Sequence, residues 1–137
     1  MNIELLQKTQ EYIKANPERI EMRAWVRGND AEGNPIYPYM PAELPTRLGV
    51  KMCVSAIAAA IWNATERKEN EPMAIYASGP DLLGIESVSL WNSLVLISRW
   101  PEDLGVRYAE DSNDEERSAA TVERIQRLID SQAVPAD

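Results

Sequence analysis

Apolar side chains recur along this chain at intervals of three or four positions, and the recurrence predicts a succession of helices. Ile3, Leu6 and Ile13, with neighbouring Leu5 and Tyr12, mark the first. Asn2 stands where a cap belongs, and Lys14 where the negative end of the helix dipole favours a cation. Pro17 disfavours helical geometry at Asn16, so this helix ends there and "NPERIEM" forms a short helical turn with Asn16 as its cap. From about Arg47 to Thr65 the positions Val50, Val54, Ile57, Ala58, Ile61 and Trp62 share one broad side. A helix apolar almost all round is a central one, and Ala58 to Ala60 let its neighbours approach closely. Further on, Val88, Trp91, Leu94 and Val95 predict a second core helix over about 87–98. Val122, Ile125, Leu128 and Ile129 predict a last one laid across both, with Arg124 and Arg127 facing out.

Punctuation residues fill in the rest. Pro72 suits the first turn of a short helix, "PMAIYAS"; Ser78 or Gly79 caps another that Gly84 stops. Trp100 and Pro101 turn the chain into "PEDLGVRYAE", where Glu102 and Asp103 sit beside a positive dipole end. Ser112 and Glu115 have the spacing of a capping box. The segment at about 24–46 is different, with Pro35, Pro38, Pro41 and Pro45 and the glycines Gly28 and Gly33. The prolines disfavour sustained helix there. Its pattern allows a small β-hairpin near residues 24–39, Trp25 and Val26 pairing with Ile36 and Tyr37, the prolines confining the second strand to an edge. The expected fold is mainly α: a single compact irregular bundle of five or six helices over residues 1–137, with a frayed tail at about 131–137.

Composition narrows the functional classes. A chain of 137 residues is about one domain, long enough to bury roughly two thirds of its unfolded surface. Cys53 is the only cysteine, which excludes an intrachain disulfide and fits a reducing, cytoplasmic compartment. The first residues lack the basic start and long apolar centre of a signal peptide, and the run from Val50 to Trp62 is shorter than the roughly 18 residues of a spanning helix. Net charge is -8, unevenly placed: through Lys68 the chain carries nine Lys and Arg against eight Asp and Glu, and from Glu69 onward five against fourteen. An acidic chain without a basic patch is a poor binder of nucleic acid or anionic membrane.

With no histidine in the sequence, histidine-based triads and mixed His/Cys zinc sites are absent. Neither a GxxxxGK[ST] loop nor a GxGxxG turn occurs. Cys53 reads as a small buried hydrophobe rather than a nucleophile. In "DSNDEERSAATV", Asp111, Asn113 and Glu115 occupy calcium-loop positions one, three and five, but Glu116 stands where glycine is needed and Val122 where the bidentate glutamate belongs. No catalytic residue, cofactor or metal site is assigned.

What remains is an acidic block: Glu102, Asp103, Glu110, Asp111, Asp114, Glu115 and Glu116, opposed within it by Arg107. Such a run commonly forms a solvated face; it also suits docking of a basic partner, with Trp100 and Tyr108 as candidate aromatic anchors. The expected function is a non-catalytic protein–protein interaction module, an adaptor or inhibitor directed at a basic, nucleic-acid-binding partner through this block or through the proline-rich loop. A carboxylate-based enzyme and a self-assembling structural subunit are the alternatives.

The order of short motifs also resembles a family of short, uncharacterised bacterial and mobile-element proteins. Its pattern "PERxxM..W" corresponds to "NPERIEMRAW", its core helix "CGTxxCIAGWA" to "KMCVSAIAAAI", and its "LLGL" and "WPE" to "LLGI" and "WPEDL". The family's paired cysteines would fall at Lys51 and Ala56, so neither is retained. The resemblance implies a compact helical domain encoded by a phage or another mobile element, and it implies no activity.

Overall fold

A computed structural model describes residues 1–20, 22, 26–27, 51–74, 78–110 and 113–133. Among them are six α-helices: α1 (Ile3–Ala15), α2 (Val54–Thr65), α3 (Gly79–Leu83), α4 (Val88–Val95), α5 (Glu102–Glu110) and α6 (Asp114–Ala133). Three-residue 3-10 turns follow α1 at Pro17–Arg19 and α4 at Ile97–Arg99. The fold is mainly helical, with helix packed on helix. Of the expected proline-rich segment at about 24–46, all but Val26 and Arg27 lies outside the described residues, as do the last residues of the tail, 134–137; Ser131–Ala133 continue α6.

Helix α1 forms as its sequence dictates. The Asn2 side-chain oxygen accepts from the Leu5 amide at 3.0 Å, and Leu5, Leu6 and Ile13 are fully buried on one face. The Asn2 amide donates to Leu83 O at 2.7 Å and its side chain to Leu82 O, tying the start of α1 to the end of α3. Gly84, at φ 65°, supplies the left-handed cap that ends α3.

Helix α2 is the central rod that its composition predicts, with every residue from Val54 to Ala60 buried. It begins later than expected. Lys51 and Met52 pair antiparallel with Arg27 and Val26 as two short strands, β2 and β1, and Cys53 is extended at φ -78°, ψ 170°. The hairpin expected near residues 24–39 thus has Val26–Arg27 paired to Lys51–Met52; its expected partners Ile36 and Tyr37 lie outside the described residues. Small side chains bring α3 close to α2: a Cβ on Gly79 would fall on Ser55 Oγ and lie 2.7 Å from Trp91 Cη2.

Two other expectations need correction. Pro72 to Ala74 are not helical, because the Asn63 side chain holds Ala74 as a strand would: Nδ2 donates to Ala74 O at 2.9 Å and Oδ1 accepts from Ala74 N at 2.7 Å. The 87–98 segment is not a central helix either. Only Leu94 of α4 is buried and Val88 is 73% exposed, since this short helix covers one side of the core. The second pillar is α6, which packs against α1 and α5 and buries Ile125, Leu128 and Ile129. Each buried aliphatic side chain of this size stabilises the fold by about 1.5–3 kcal/mol.

Candidate partner-binding surface

The expected site residues divide into core and surface. Trp100, Leu104 and Tyr108 are spaced by four, which puts them on the inner stripe of α5 and its entry turn, and all three are buried. Trp100 Nε1 donates to Leu94 O at 2.7 Å, and Tyr108 Oη accepts from the Met22 amide at 2.7 Å. The rings meet edge to face with centroids 5.5 Å apart. Neither ring is available as an exposed anchor, contrary to the expectation. The fourfold spacing was the signal in the sequence that identifies them as core.

The carboxylates lie outside this stripe. Asp103 accepts a bidentate pair from Arg127, at 3.0 and 2.7 Å, which holds its carboxyl below the usual carboxylate range. Arg127 also reaches Glu123, Arg107 reaches Glu116 at 3.2 Å, and Arg117 approaches Asp114 at 3.9 Å. Glu102 and Glu115 are exposed and make no ion pair among the described residues. The Glu110 side chain and Asp111 lie outside what is described. The block is therefore less naked than its sequence, because Arg127 folds back onto Asp103 while Arg107 and Arg117 cover Glu116 and Asp114 locally.

Helix α6 starts at Asp114, and the residue that caps it, Asn113, is one beyond the expected cap Ser112. Asn113 accepts from the Glu115 amide through its side chain at 2.8 Å and from the Arg117 amide through its carbonyl; Ser112 is outside the described residues. Arg124, expected to face out, is buried: it falls on the stripe between Thr121 and Leu128 and turns inward to α4. Its Nε donates to Ser93 O and its Nη2 to Ser93 Oγ, both at 3.1 Å. With the Trp100 indole, it closes the carbonyl end of α4. Burial, and then the charge of Arg127, lower its pKa from the ordinary arginine value.

A groove of about 320 Å³ runs between the end of α1 and the first half of α6. Pro17, Ala119 and Val122 supply its apolar lining, Lys14 stands on the α1 side, and Glu115 and Glu123 on α6. Beneath it the two helices are bonded together. Ser118 Oγ donates to Ile13 O at 2.9 Å, and Gln10 Nε2 donates to Val122 O at 3.1 Å and to Gln126 Oε1 at 3.2 Å. This polar seam was not legible in the sequence, where Gln10 and Ser118 look like solvent-facing positions.

Chemically the surface offers charge and shape. Among the described residues no three His, Cys, Asp or Glu side chains gather to hold a metal ion, and no helix is long and apolar enough to cross a membrane. Compared with protein-family models, curated proteins and solved structures, the chain matches none.

Proposed function

We propose that this chain is a non-catalytic protein–protein interaction module, an adaptor or inhibitor that presents the outer face of α5 and α6 to a basic, nucleic-acid-binding partner in the cytoplasm. A phage or another mobile element is the proposed source. The observation that carries the reading is the exposure of Glu102 and Glu115, without internal ion pairs among the described residues, on helices whose inner faces are locked by Trp100, Leu104, Tyr108 and Ile125. A rigid scaffold with surplus negative charge accelerates encounter with a positive surface and leaves little ordering cost on binding.

The reading predicts a salt-sensitive partner. The tagged full chain and its Glu102→Lys/Glu115→Lys variant are used to capture proteins from host lysate at about 50 and about 500 mM NaCl, where the Debye length shrinks severalfold. A basic protein retained at low salt, lost at high salt and lost to the variant supports the module. Recovery of no partner, or of one indifferent to both changes, removes it.

A further inference from the structure

We propose that the groove between α1 and α6 receives a basic amphipathic helix of the protein partner, seating an aliphatic side chain against Ala119 and Val122 while flanking lysines or arginines reach Glu115 and Glu123. The inference rests on the acidic-module reading and adds the apolar anchor that the buried Trp100 and Tyr108 cannot supply.

Geometry sets the pattern of the partner. Glu115 and Glu123 lie two turns apart on α6 with Ala119 midway, so their backbones are separated by about 12 Å along the axis. A partner helix lying along the groove spans the same distance between residues one turn before and one turn after its central anchor. The groove volume of about 320 Å³ suits one or two aliphatic side chains and is at the low end of small-molecule sites, which run to about 1,000 Å³.

Charge sets the orientation. Both carboxylates stand on the α6 side and Lys14 stands opposite, so a helix that carries its positive side chains toward α6 is attracted, and one turned over meets like charge. Glu123 shares its carboxylate with Arg127 at 3.3 Å, whereas Glu115 makes no ion pair among the described residues, so Glu115 is the stronger of the two contacts. A helix is favoured over an extended peptide because the groove walls are helices whose backbone groups are already bonded. An extended chain would find no edge to pair with, whereas a helix brings its own hydrogen bonds. The walls are fixed in advance by Ser118 to Ile13 and by Gln10 to Val122, so closing on a partner does not require the groove to form first.

The test selects peptides from a displayed library of helices about 20 residues long, randomised on one face, against the full-length protein. Enriched peptides are then titrated against the native chain, Ala119→Arg and Glu115→Gln/Glu123→Gln. Ala119 is exposed, so its replacement leaves the fold intact, as circular dichroism and the melting temperature verify. The expected outcome is enrichment of an aliphatic residue with lysine or arginine one turn to either side. Ala119→Arg should weaken binding by about tenfold or more, and the glutamine pair should flatten its salt dependence.

Basic peptides that bind Ala119→Arg as well as the native chain, while still losing affinity with salt, overturn the groove and leave the acidic-face reading standing. Enrichment of peptides without basic residues, or of none, counts against both. Enriched sequences that are extended when bound, by nuclear magnetic resonance, overturn the helical occupant.

Discussion

Cys53 ends the extended stretch before α2 with its thiol enclosed, 3% exposed. Burial pushes the thiol up to about 11, outweighing the amides of Ala56 and Ser55 that favour the thiolate. The folded protein therefore holds this proton to higher pH than the unfolded chain, whose thiol titrates near 8.5. The resulting stabilisation is complete below the unfolded value and is lost as pH rises toward about 11. Unfolding free energy should accordingly fall more steeply from pH 8.5 upward in the native protein than in Cys53→Ala, by up to about 1.4 kcal/mol per pH unit, measured by urea titration. At neutral pH a water-soluble alkylating reagent should label Cys53 no faster than the fold opens; rapid labelling would restore thiol chemistry as a possibility. The sequence showed this much directly: one cysteine amid alanines and β-branched residues has little else to be than part of a core.

At the scale of elements, what local pattern controls was legible and what distant partners control was not. The bounds of α1 follow from Asn2 and Pro17, and the end of α3 from Gly84, all local chemistry. Lys51 and Met52 read as helix because their neighbours do, yet pairing with Val26 and Arg27 draws them into a strand. Trp100 and Tyr108 read as anchors because they are aromatics beside acids, although their spacing with Leu104 assigns them to the inner stripe of α5 and its entry turn. The Tyr108 hydroxyl has a structural task, holding the Met22 amide at 2.7 Å from an element 86 residues away. Tyr108→Phe keeps the ring packing and strands that buried amide. It should cost about 1–3 kcal/mol in urea unfolding. A change near zero would show that the bond contributes nothing net.

Over the whole molecule, α2 is enclosed by α1 and α3, and α6 joins α1 to α5, so the described helices share a single buried cluster. Circular dichroism and tryptophan fluorescence should therefore report one coincident guanidinium unfolding transition; separate midpoints would mean that part of the bundle melts independently. Charge was legible as a sum and misleading as a surface. The sequence counts seven acids against Arg107 between Glu102 and Glu116, whereas the fold brings Arg127, 24 residues on, onto Asp103. The groove was not legible at all, since Lys14 and Pro17 lie about a hundred residues before Ala119 and Val122 in the chain and none is unusual alone. The closing of α4 also bears on how the chain is made. Eight residues are too few to hold a helix in water without help, and both side chains that satisfy its carbonyl end, Trp100 and Arg124, are translated after it. On the ribosome α4 should therefore stay unfinished until Arg124 has emerged, and nascent chains stalled before that point should leave it open to limited proteolysis that the full chain resists.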